Sequence, residues 1–196
     1  LNLLRNKYKG NENVVFVDEP VSEWNEVKDG EKSILELFYN DKEKYSFAFQ
    51  ILAYITRLRK LLEALDGPKE KTIICERSIF TDKFVFAKML YQQNFINEIE
   101  WKSYNYWFDT FKEKTKLDRI IYINTDPNIC LERIKKRNRD GESDISLEYL
   151  NHCHLLHQDW LINENQNKVI EFNGNNNFDG INEERYVKKI YEEIKI

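Results

Sequence analysis

The chain has 196 residues, 41% hydrophobic and 14% aromatic, which is material for one domain around one sizeable core and too apolar for an intrinsically disordered chain. With 30 Lys and Arg against 34 Asp and Glu, the net charge of −4 excludes a global attraction to nucleic acid or to an anionic membrane, so any basic site must be local. No apolar run approaches the roughly 18 residues of a bilayer span, and Cys75, Cys130 and Cys153 fit buried thiols of a reducing compartment better than a disulfide framework or a zinc site.

Leu1, Leu3 and Leu4 beside Arg5, Lys7 and Lys9 open the chain in mid-pattern, with Gly10 placed to end a helix, so the start is expected to be cut. Residues 14–17 form an unbroken β-branched and aromatic run closed by Asp18, Glu19 and Pro20, which predicts a parallel strand buried on both faces. Helical spacing of apolar residues predicts a long helix over 46–65, stopped by Gly67 and Pro68. Residues 72–75 repeat the strand signature, end in Glu76, Arg77 and Ser78, and lead to a helix over 82–91. Next come a helix over 98–111, a third strand over 119–124 and, with Pro127 at a first helical position, a basic helix over 128–139. A helix over 147–161, a strand over 169–172 and an amphipathic helix over 183–194 complete the chain. Strands alternating with helices predict an α/β fold with a parallel sheet, and no internal repeat divides the single domain of 1–196.

In open parallel sheets ligands bind beyond the carboxyl ends of the strands. Glu19 and Glu76 follow two such ends, with Arg77 beside them, a set suited to proton abstraction, metal binding or stabilisation of phosphoryl charge; solvated loop acids are the alternative. Arg133 and Arg137 share a helix face in a segment that also holds Lys135, Lys136 and Arg139, so a polyphosphate clamp, a solvated face and a nucleic-acid patch all remain open. His152, Cys153, His154 and His157 lack the partners of a recognisable zinc spacing. Trp24, Phe38, Tyr39, Phe49, Phe80 and Phe86 read as ordinary core or as a stacking platform.

Taken in order, Glu19-Pro20-Val21 with Trp24, the run 46–50, Glu76-Arg77-Ser78 with Asp82, the basic run 133–139 and Leu147-Glu148-Tyr149-Leu150 resemble the deoxyribonucleoside kinase family over nearly the whole chain. The resemblance implies a P-loop kinase-like fold, three layers α/β/α around a central parallel sheet with an Arg-rich helical lid. It implies phosphoryl transfer from ATP or another nucleoside triphosphate, with Mg2+, to the 5′-hydroxyl of a deoxyribonucleoside in nucleotide salvage. By the same resemblance Glu19 would be the general base, Arg77 would hold it and neutralise the moving phosphoryl group, and Glu76 would hold magnesium, through water. Tyr39 and Glu148 would hold the 3′-hydroxyl, Gln50 would pair with the base, and Trp24, Phe49 and Phe86 would wall its slot. Arg133, Arg137 and Arg139 would form the lid, and Asn176, Asn177 and Phe178 would lie near the donor base, where the Asn-rich sequence leaves the choice of donor open. An Arg and an Asp at Arg57 and Asp82 mark the deoxycytidine and purine kinases of the family, so thymidine should be the poor substrate.

The family's phosphate loop, Gly-x-x-x-x-Gly-Lys-Ser/Thr, does not occur in these residues. The expectation is a first strand and phosphate loop upstream of Leu1. The alternatives are a noncatalytic nucleotide-binding relative and a thymidylate-like monophosphate kinase, the latter requiring a basic group for the acceptor phosphate near Glu19. Further expectations are a cytoplasmic protein, a mitochondrial address being left open by the cut start, with small-molecule partners and neither nucleic acid nor membrane. A homodimer is expected too, built on the apolar faces of 84–95 and 147–161.

Overall fold

A computed structural model describes residues 1–67, 70–138, 145–163, 168–176 and 181–194. In chain order the elements are α1 (Asn2–Lys7), β1 (Val14–Val17), α2 (Val21–Glu26), β2 (Lys28–Asp29), β3 (Lys32–Ser33), α3 (Ile34–Asn40), α4 (Lys42–Leu65), β4 (Thr72–Cys75) and α5 (Ile79–Thr81). There follow a π-helical segment (Asp82–Ala87), α6 (Lys88–Gln92), α7 (Glu98–Phe111), β5 (Ile120–Asn124), α8 (Pro127–Arg137), α9 (Leu147–Gln158), β6 (Val169–Asn173) and α10 (Ile181–Ile194). A second π-helical turn, Asp159–Asn163, prolongs α9.

The four strands β1, β4, β5 and β6 are parallel, as their sequences predict. β1 pairs with β4 from Val14↔Thr72 to Val17↔Cys75, and β5 pairs with β6 from Ile120↔Val169 to Asn124↔Asn173. Parallel partners cannot be joined by a tight turn, so each pair is closed by a helical crossover, through α2 to α4 in the first and through α8 and α9 in the second. Burial on both faces is corrected: β1 and β4 are half-buried along their whole length, and Ile123 of β5 is 42% exposed. The reason is that, among the described residues, the parallel strands bond in two separate pairs, so each carries a ladder on one side only. β2 and β3 form a short antiparallel hairpin.

Helix starts are set by local chemistry. Ser33 accepts from the Glu36 amide while the Glu36 carboxylate bonds back to the Ser33 amide, a capping box that starts α3; Asn97 and Glu100 do the same for α7. Asp126 caps α8, with Pro127 in its first turn as expected, and Asn138 ends that helix in the left-handed region. α1 ends at Lys7 rather than at Gly10.

The buried stripe of α4, with Ser46, Phe49, Gln50, Ala53, Tyr54, Arg57, Leu58 and Leu61, follows the helical period, yet it carries polar residues, among them Gln50 and Arg57 two turns apart. Around it lies the main core of Trp24, Phe38, Phe49, Tyr54, Leu58, Ile79, Leu90, Tyr104 and Phe108. Each such side chain contributes roughly 1.5–3 kcal/mol by leaving water. A second cluster joins Val85 and Met89 to Leu156, Trp160 and Leu161, and a third joins Leu4 of α1 to Phe172 of β6 and Ile190 of α10. Much of the apolar surface of 84–95 and 147–161 is packed inside the chain, while Leu155 of α9 stays 64% exposed. The large apolar side chains left exposed include Ile55 of α4 and Ile99, Tyr106 and Trp107 of α7. The three cysteines are free and half-buried rather than buried.

Candidate active site

The register of β1 against β4 brings Asp18, Glu19, Glu76 and Arg77 to one rim, and the Glu76 amide donates to the Val17 carbonyl at 3.1 Å just past the last strand pair. Arg77 sits at φ 63°, a left-handed conformation that costs a non-glycine residue about 1–2 kcal/mol and aims its guanidinium at the rim. Its Nη1 donates to Glu19 Oε1 at 3.1 Å, and the guanidinium lies 4.8 Å over the Phe86 ring.

Beneath the rim Arg57 joins two carboxylates on different elements. Its Nη1 donates to Asp82 Oδ1 and its Nη2 to Glu19 Oε1, and the guanidinium lies 5.0 Å over the Trp24 ring. Arg57 is 7% exposed, Asp82 1% and Glu19 16%. Burial pushes the Asp82 carboxyl up against the pull of the Arg57 guanidinium; in Arg57 the downward push of burial is outweighed by Asp82 and Glu19, and the group stays charged. Asp82 opens the π-helical segment, a wide turn that is rare outside functional sites.

A cavity of about 890 Å³ lies against this triad. Trp24, Tyr39, Phe49, Gln50, Arg57, Asp82 and Phe86 line it together with Glu19, Glu76, Arg77 and Arg137, so eleven residues expected at the site from widely separated segments share one space. Trp24 stands edge-on to Phe49 at 5.4 Å, and its Nε1 is fixed by Thr56 Oγ1 at 3.0 Å. Gln50 Oε1, Arg57 Nε and Asp82 Oδ2 are buried without a hydrogen-bond partner in the protein. Leaving such an atom unmade costs about 1–3 kcal/mol, so this lining suits a ligand that presents donors to Gln50 and Asp82 and an acceptor to Arg57. Glu76 is an exposed carboxylate on the same rim as Asp18 and Glu19, and among the described residues no three His, Cys, Asp or Glu side chains are grouped so as to hold a metal ion.

Other expected residues fall differently. Glu148 is exposed and does not line the cavity, whereas its neighbour Tyr149 does; burial pushes the Tyr149 hydroxyl well up, so it remains a donor at neutral pH. Arg133 donates to the carbonyls of Asn175 at 3.4 Å and Asn176 at 2.9 Å, tying α8 to the loop after β6 rather than lining the cavity. Arg139, Asn177 and Phe178 lie outside the described residues. The histidines turn to different neighbours, His152 to Gln92 and Gln93 and His157 to the Cys153 carbonyl.

A carboxylate gripped by two guanidinia beside an aromatic slot with a buried amide is a site for a planar, hydroxyl-bearing ligand, and the parallel strands with their basic helix are those of an α/β phosphotransferase. The deoxynucleoside kinase family model matches residues 1–196, and the chain belongs to that family, whose P-loop kinase-like α/β fold it shares. It is 35% identical over 169 residues to a probable deoxycytidine kinase of fowlpox virus (strain NVSL), covering 83% of this chain and 69% of that one. It is 34% identical over 177 residues to deoxycytidine kinase of Rattus norvegicus, covering 80% and 68%. Mitochondrial deoxyguanosine kinase of Xenopus laevis is 32% identical over 165 residues, covering 74% and 62%. The chain thus spans about two thirds of the length of these relatives, and the match favours a nucleoside kinase over the monophosphate kinase and noncatalytic alternatives.

Proposed function

We propose that Glu19 is the general base with which this deoxynucleoside kinase of nucleotide salvage takes the proton of a substrate 5′-hydroxyl, with deoxycytidine or a purine deoxynucleoside preferred to thymidine. The observation that carries this reading is the joint presence, in one cavity, of the Glu19–Arg77 pair and of Gln50 and Asp82, each with an unpaired buried acceptor. An exocyclic amino group supplies the donors those acceptors lack. Thymine offers a carbonyl there instead, and its methyl group meets the Arg57–Asp82 pair.

The deoxyribose lies along Tyr39 and Tyr149, with Glu148 one position away on the first turn of α9. Arg77 stabilises both the Glu19 carboxylate and the negative charge on the moving phosphoryl group, and Arg137 extends the cationic lining toward the phosphates. Arg133 acts at one remove by holding the loop at Asn176, and Arg139, Asn177 and Phe178 complete the lid and the donor-base loop. The donor is ATP or another nucleoside triphosphate. Glu76 would hold magnesium through water, and the ion would neutralise phosphate charge. The protein works as a homodimer through the exposed apolar side chains of α4 and α7, whose helices meet where the Tyr54 hydroxyl donates to the Trp107 carbonyl at 3.1 Å. Its compartment is the cytoplasm or the mitochondrion; no helix among the described residues is long and apolar enough to cross a membrane.

The test is Glu19→Gln in the full-length protein. Turnover should fall by about 100-fold or more while deoxynucleoside binding changes little. Turnover close to that of the parent would remove Glu19 from the mechanism.

A further inference from the structure

We infer that Arg57 is a positioning residue that couples the reading of the base at Asp82 to the presentation of the Glu19 carboxylate. The inference rests on the general-base reading of Glu19. Both terminal nitrogens of the Arg57 guanidinium are committed, one to Asp82 and one to Glu19, across sequence separations of 25 and 38 residues. The two sites are therefore joined by one planar, rigid group.

The oxygens matter. Arg57 Nη2 and Arg77 Nη1 both bond to Glu19 Oε1, and among the described residues no donor reaches Oε2. Oε1 is the anchored oxygen, and Oε2 is the one left to accept the proton of a substrate hydroxyl. This division depends on Asp82. A guanidinium with two free terminal nitrogens takes a lone carboxylate in the two-oxygen, fork-to-fork manner. Asp82, 1% exposed at the start of the π-helical segment, occupies Nη1 and so limits Arg57 to a one-oxygen grip on Glu19. If Asp82 loses its charge, Arg57 closes on both oxygens of Glu19 and blocks the base. Asp82 accordingly serves turnover through Arg57 as well as serving base choice.

A role confined to base choice and this coupling give opposite results with a substrate that has no amino group. In the full-length kinase, Asp82→Asn should lower kcat at least about 10-fold for deoxycytidine and for thymidine alike, with KM changing less. Adding Arg57→Met to Asp82→Asn should raise kcat at least about 3-fold above that of Asp82→Asn alone, because Arg57 can then no longer close on Glu19. Asp82→Ala, which removes the acceptor from Nη1 altogether, should likewise lower kcat at least about 10-fold for both substrates. A loss with Asp82→Asn that appears only in KM, or only with amino-bearing bases, overturns the coupling. So does a double variant no faster than Asp82→Asn, or an Asp82→Ala variant with parental kcat, the latter deciding the matter even if Asp82→Asn does not fold. Glu19→Gln, assayed alongside, separates the two levels. An active Glu19→Gln sinks the general-base reading and the coupling with it, whereas an inactive Glu19→Gln without rescue in the double variant sinks the coupling alone.

Discussion

Arg57→Met removes the cation from a pair whose other member, Asp82, is 1% exposed, and leaves an uncompensated carboxylate in the core. Breaking a buried pair from one side typically costs about 3–5 kcal/mol. Here the loss has a ceiling, because Asp82 escapes it by taking a proton. From an ordinary value of 3.8, neutralisation at pH 7 costs about 4 kcal/mol at 1.36 kcal/mol per pH unit. Glu19 adds less, since Arg77 still holds it. The sign follows: burial already raises the Asp82 carboxyl in the parent, and losing Arg57 raises it further, so the two chains differ least in acid and the deficit grows by at most about 1.4 kcal/mol per pH unit until pH passes the variant's folded-state value. The expected deficit is at most about 4 kcal/mol at pH 7 and smaller at pH 5. Arg57→Met with Asp82→Ala deletes both charges, so its deficit should be smaller and flat with pH. Urea unfolding followed by circular dichroism at pH 5, 6 and 7, each against the parent chain, measures all of this. An Arg57→Met deficit equal at pH 5 and pH 7, or a double variant as unstable as the single one, refutes the buried-charge account.

Arg57→Met with Asp82→Ala in the full-length protein should also raise kcat/KM for thymidine relative to deoxycytidine by about 10- to 200-fold, the worth of a methyl-sized fit; unchanged ratios would show that the pair does not bound the base slot. Burial holds the His157 imidazole below its ordinary value of 6.5, while Nδ1 donates to the Cys153 carbonyl at 2.7 Å and the ring stacks on Tyr122. That stability is present above pH 6.5 and is lost as pH falls through it, so His157→Gln should lessen the drop in melting temperature between pH 7 and pH 5, and an identical slope counts against it. A Cβ on Gly174 would stand 2.1 Å from Thr125 Oγ1 and 2.7 Å from Ile123 Cγ2, so Gly174→Ala should destabilise by about 1–3 kcal/mol in the same unfolding assay; a parental midpoint would contradict the close approach.

Elements with strong local signals were legible from residue order. The β-branched runs at 14–17 and 72–75 and the helix at 98–111 coincide with β1, β4 and α7, since contiguous β-branched residues and an apolar helical stripe suffice to mark them. The short α2, the β2–β3 hairpin and α3 went unread between a strand and a long helix, although Ser33 with Glu36 spells a capping box. Eleven site residues reach one cavity, yet the Arg57–Glu19 bond could not be inferred from spacing, because it depends on how α4 lies across β1. Glu148 and Tyr149 show a finer limit. Neighbours on a helix point about 100° apart, so the angle at which α9 starts decides which of them meets the ligand.

The wide turn over Asp82–Ala87 also bears on how the slot can be re-engineered. Asp82, Phe86, Met89 and Leu90 line the cavity at the i, i+4, i+7 and i+8 spacing that keeps helical residues on one face. Deleting a single residue between Asp82 and Phe86 would break that spacing and swing every later position by about 100°, carrying Phe86 away from the slot while leaving Gln50 and Arg57 on α4 untouched. Point substitutions can therefore resize this slot, but redirecting it takes an insertion or a deletion.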